Sequence, residues 1–135
     1  MSALSISASG LAAASLRLQA SASNIANISD TAPLPNANAS STAGFPSAYV
    51  PSRVDQVAVA GGGKAATIAR ASPSYVTRYD PGAPSADKNG LVAAPNLDLA
   101  NEAVQQIAAS YAFAADAKAI QAGSNTIRAL LDIKI

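Results

Sequence analysis

The sequence predicts a mainly α fold with a small β part, in which N- and C-terminal helices pair as a coiled-coil-like arm around a short β-hairpin segment. Three observations carry that expectation. Large apolar residues recur every seven positions near the N-terminus, and a long, sparsely charged, helix-compatible run ends the sequence. Between them, a glycine triplet is flanked by alternating apolar residues. The expected division is residues 1–29 as an N-terminal helix, 30–95 as a loop plus small β segment, and 96–135 as a C-terminal helix.

The first helix is expected from about Ser2 to Ile28. Leu4, Leu11, Leu18 and Ile25 recur with a seven-residue period, and Ala8, Ala14 or Ser15, Ala22 and Ile28 lie on or near the same stripe. From periodicity alone the stripe reads equally as an internal core face or as a surface for other subunits. Gly10 weakens the helix by about 1 kcal/mol relative to alanine. The outer face is rich in serine rather than charge, so the isolated helix is expected to be marginal until it docks. Asn24 and Asn27 read either as ordinary helix-end residues or as residues that shape the chain exit.

Thr31 to Pro51 is a Pro/Asn/Ser/Ala stretch without periodicity and reads as loop or as a mobile segment. A hairpin follows, with strands at Val54–Ala60 and Lys64–Arg70 around Gly61-Gly62-Gly63. The triplet is no phosphate loop, because no Gly-Lys-Ser/Thr follows it. A third strand is expected at Ser74–Tyr79, ended by Asp80-Pro81-Gly82, and a very short fourth at Leu91–Ala94. Asp80, Asp87 and Asp98 lack the spacing of a calcium loop and read as turn and cap residues.

The second helix is expected from about Leu97 to Lys134, capped by Asn96 or Asp98 with Pro95 just outside. Val104, Ile107, Tyr111 and Ala114 form one stripe. Phe113, Ala117, Ile120, Ser124, Ile127 and Leu131 are expected to continue it, slightly rotated. This helix outreaches the small middle segment, so part of its apolar face needs cover from another helix.

Composition supports assembly over a self-sufficient globule. Half of the 135 residues are hydrophobic but only 4% are aromatic, so much of the apolar content is alanine. Alanine buries little area, and burial contributes only about 25 cal/mol per Å². Nine basic and eight acidic residues are scattered without a basic stripe, which argues against nucleic acid and anionic membranes as partners. Cysteine and histidine are absent, which removes thiol nucleophiles, thiolate sites and the commonest base and metal ligand. No catalytic, cofactor-binding, metal-binding or small-molecule site is expected. No run of ~18 apolar residues suggests a membrane span. No basic residue precedes the Leu11–Ala14 run, so no cleaved signal peptide is expected.

Longer motifs carry a resemblance. Ser2-Ala3-Leu4-Ser5-Ile6-Ser7-Ala8-Ser9-Gly10-Leu11 and Ser21-Ala22-Ser23-Asn24-Ile25-Ala26-Asn27 resemble the opening helix of flagellar rod and hook subunits. Tyr79 to Asp87, Asn89-Gly90-Leu91-Val92 and Pro95-Asn96-Leu97-Asp98 are similar to the flagellar basal-body rod protein family, most of all to its proximal rod members. The C-terminal helix, with Glu102, Ile107, Ala109-Ser110, Tyr111, Ala114 and Ala115, also fits that family. The resemblance spans essentially the whole chain. Two departures stand out: Ile28-Ser29-Asp30-Thr31 leads into the Pro/Asn/Ala stretch rather than a basic segment, and Tyr111 replaces a basic residue.

The resemblance implies a structural subunit of the rod that crosses the periplasm. Such a subunit is exported unfolded by the flagellar export apparatus, polymerises helically with copies of itself and other rod proteins, and transmits torque. It also moves the apolar stripes toward an intersubunit role, with Leu4, Leu11, Leu18, Ile25, Val104, Ile107, Tyr111, Ile120, Ile127 and Leu131 as expected contact residues. The alternatives are another axial component, a different rod or hook-type subunit, or a small exported adaptor or enzyme. An adaptor or enzyme would need a pocket with convergent polar groups.

Overall fold

The computed structural model describes residues 2–35 and 45–133. The elements run α1 (Ala3–Ala26), β1 (Ser52–Ala58), β2 (Lys64–Arg70), β3 (Tyr75–Tyr79), β4 (Leu91–Pro95) and α2 (Leu99–Asp132). The architecture is the expected one: two paired helices with a small β part. The expected loop from Thr31 to Pro51 lies partly outside the described residues.

Local chemistry sets the helix ends. The Ser2 hydroxyl accepts a hydrogen bond from the Ser5 N–H at 3.3 Å, and α1 ends at Ala26 with Asn27 as its C-cap. Of the two candidate caps for α2, Asp98 serves: its carboxylate accepts from the Asn101 N–H at 2.8 Å. Negative charge is favourable there, beside free N–H groups and the positive end of the helix dipole.

β1 and β2 form the expected antiparallel hairpin, with Val54 opposite Ile68. Gly61, Gly62 and Gly63 take φ values of +86°, +91° and +97°, which only glycine adopts readily, and the Gly62 N–H closes the turn on the Val59 carbonyl at 3.1 Å. Because that turn begins at Val59, β1 lies two residues earlier than the expected strand. The turn rests on α1: Ser9 Oγ accepts from the Lys64 N–H at 3.1 Å.

β3 and β4 make a separate two-stranded antiparallel sheet. The Asp87 carboxylate accepts from the N–H groups of Asn89 and Leu91 at 2.8 and 2.9 Å, closing the connection as a turn residue should. Ala32 exchanges two backbone hydrogen bonds with Ala93 on the other edge of β4. Covered on both sides, β4 supplies much of the small core: Val92, Ala93, Ala94 and Pro95 are buried.

The helices run antiparallel, with Leu4 against Gly123, Gly10 against Asp116, Arg17 against Gln105 and Ser21 against Glu102. The deepest α1 positions are Gly10, Ala13, Ala14, Ala20, Ser21 and Asn24. The seam is thus centred one residue before the leucine stripe. Leu4, Leu11, Leu18 and Ile25 flank it, half-buried. Small residues let the backbones approach closely, which leaves no room for leucines on the line of contact.

Gly10 is the closest point, since a Cβ there would collide with the Asp116 carboxylate. Gly10→Val should therefore destabilise the chain by about 1–3 kcal/mol through overpacking. Urea unfolding checks this as a lower midpoint with an unchanged slope. Gly10→Ala should cost less, because about 1 kcal/mol of recovered helix propensity offsets a smaller clash.

Candidate assembly surface

At the C-terminal end of α1, a polar clasp joins both helices to the middle segment. Asn24 is 2% exposed. Its amide donates to the Ser52 carbonyl and to Glu102 Oε1, both at 2.8 Å. Its oxygen accepts from the Ser52 N–H at 2.9 Å and from the Tyr49 hydroxyl at 3.1 Å. The Ser21 hydroxyl donates to the Glu102 carbonyl at 3.1 Å, and Arg17 donates to Gln105 Oε1 at 2.6 Å. Asn24 thus shapes the chain exit, whereas Asn27 only donates to the Ser23 carbonyl, at 2.7 Å. Tyr49, Ser52 and Gln105 carry no motif, so sequence reasoning did not find them.

The clasp fixes which face of α2 meets α1. Glu102, Ala109, Asp116 and Gly123 lie on that face at seven-residue spacing, and Ala109 is fully buried. Ile120 is half-buried on the same side.

Val104, Ile107 and Tyr111 sit about half a turn away, on the opposite side, at 100° per residue. They are 62%, 58% and 76% exposed. Ile107 and Tyr111, with Gln106, Ser110 and Ala114, border a shallow surface hollow. The expected single stripe, in which Phe113 to Leu131 continues Val104 to Ala114, is therefore corrected: these are two stripes on opposite faces. The sequence admitted both phases because alanine is spread all round α2.

The second stripe outruns its partner. α2 spans 34 residues and α1 spans 24, roughly 51 and 36 Å at 1.5 Å per residue. Leu4 lies level with Gly123, so the last turns of α2 project past the start of α1. Ile127, Leu130, Leu131 and Ile133 are all exposed there. Leu130 and Ile133 were not among the expected contacts. The signal that could have found them is the difference in helix length combined with an antiparallel register.

Other hollows lie elsewhere among the described residues. One is apolar, between Pro33, Phe45, Tyr49 and Tyr75, without a charged side chain. Another contains the clasp, with Arg17, Arg53 and Glu102 at its border. Among the described residues no three His, Cys, Asp or Glu side chains gather as a metal site would require, and no helix is long and apolar enough to cross a membrane.

No model of a known protein family matches the chain. Individual proteins do. The chain is similar to the flagellar basal-body rod protein FlgC of Salmonella typhimurium, with 32% identity over 128 residues, covering 93% of this chain and 88% of the relative. FlgC of Borreliella burgdorferi is 30% identical over 149 residues, covering 98% and 95%. FlgC of Agrobacterium fabrum is 29% identical over 130 residues, covering 95% and 90%. With identities at this level along nearly the whole of both chains, the chain belongs to the FlgC family of flagellar basal-body rod proteins.

Proposed function

We propose that this chain is a structural subunit of the proximal part of the flagellar basal-body rod, and that it polymerises helically with copies of itself and with other rod proteins. The observation that carries the reading is the outward stripe of α2. Val104, Ile107 and Tyr111 lie exposed on the long helix α2 in a chain of the FlgC family. Contiguous apolar faces left uncovered by a chain's own fold serve as contact surfaces. In this reading residues 1–29 and 96–135 form the axial part and residues 30–95 a smaller appended part. The flanking residues Leu4, Leu11, Leu18 and Ile25 contact neighbours along the half of their surface that α2 leaves open, as do Ile120, Ile127 and Leu131.

Export and assembly follow from the same physics. A core made largely of alanine is weak alone, so the chain can pass unfolded through the flagellar export apparatus without a cleaved signal and stiffen when neighbours cover its stripes. A helix pair whose longer member is about 51 Å long then transmits torque by packing rigidity. No catalysis, cofactor, nucleic acid or small-molecule substrate enters this function.

Deleting the gene tests the proposal. Cells are expected to lose the rod and motility, and a tagged copy should restore both and co-purify with basal bodies. Normal rods in the deletion strain would sink the reading. Amide exchange on the purified monomer adds a second check: the terminal segments, the start of α1 and the overhang of α2, should exchange fast. Strong protection throughout both helices without a partner would argue against folding coupled to assembly.

A further inference from the structure

Resting on the rod reading, we infer that the C-terminal overhang of α2 in one copy docks on the Val104–Tyr111 stripe of α2 in a second copy. The two patches are complementary and separate. Ile127, Leu130 and Leu131 continue the α1-facing seam beyond the point where α1 begins, so the overhang extends an existing helix–helix interface that lacks its second helix.

The receiving stripe faces the other way, roughly 30 Å back along the same rigid helix. One copy therefore cannot join its own two patches. The receiving face also suits an aliphatic helix. From Ala103 to Ala115 α2 carries no charged residue, and Ser110 and Ala114 beside Ile107 and Tyr111 leave a hollow that accepts a leucine or isoleucine knob. Because the patches differ, the contact is head-to-tail. Such a contact does not close on itself as a two-fold dimer does, and it propagates into an open helical array.

The chain has no cysteine, so single thiols can report this contact without background. Ile107→Cys and Leu131→Cys copies, separately tagged, would be made together in cells lacking the native gene. Isolated basal bodies would then be treated with a short bis-maleimide. The expected product is a dimer joining one tag to the other, absent when either variant is made alone. Both variants present in basal bodies without that mixed dimer would overturn the inference, as would dimers of like with like or adducts only with a different rod protein. Those results would leave the rod reading standing. Absence of the tagged wild-type chain from basal bodies would sink the rod reading and this inference with it.

Discussion

Asn24→Ala is expected to destabilise the folded chain by about 3 kcal/mol, in the upper range for single substitutions, because it strips a buried network rather than one bond. The wild-type amide satisfies four groups: the Ser52 N–H and carbonyl, the Tyr49 hydroxyl and the Glu102 carboxylate. Alanine fills little of the space and leaves these partners half-desolvated, where each unsatisfied polar group costs about 1–3 kcal/mol. Water entering the loosened site recovers part of that, which keeps the total well below the sum. Asn24→Asp should be no better, since it removes the donors and sets a second carboxylate against Glu102. Urea unfolding followed by circular dichroism measures both. The control is Asn27→Ala, which removes one exposed bond to a helix carbonyl and should cost no more than about 1 kcal/mol. An Asn24→Ala midpoint equal to that of Asn27→Ala would show that the clasp is not what ties the helices to the middle segment.

Asn24 also marks the limit of what the sequence made legible. Period seven in α1, the sparse charge of α2, the Gly61–Gly63 turn and the Asp98 cap are local signals, and each element they imply is present. A side chain that fastens three segments is not local: Tyr49 and Ser52 meet Asn24 across the loop, and no spacing announces them. The phase of α2 was hidden for a related reason. With alanine at Ala100, Ala103, Ala108, Ala109, Ala112, Ala114, Ala115 and Ala117, the helix has no unique apolar side to read. Its inward face is decided by close approach at Gly10 and Gly123, which depends on the partner helix.

Ile107→Asp should abolish incorporation into the rod and leave cells non-motile, while the isolated chain keeps its stability to within about 0.5 kcal/mol. Ile107 lies on the solvent side of α2, away from α1, so its side chain contributes little to the monomer. In an assembled neighbour contact the same position would be buried. Removing isoleucine there forfeits about 1.5–3 kcal/mol, and enclosing an unpaired carboxylate adds several more. About 4 kcal/mol per contact weakens association roughly a thousandfold. A helical array repeats the contact at every copy, so the defect is multiplied rather than averaged out. Gln121→Glu adds the same charge to the same face about four turns further along α2, past the Val104–Tyr111 stripe, and should leave motility near wild type. Motility halos and immunodetection of the chain in purified basal bodies give the comparison. Should Ile107→Asp assemble as well as Gln121→Glu, the outward stripe would be ordinary solvent-exposed surface, and the contacts that hold this subunit in the rod would have to lie on the flanks of α1 instead.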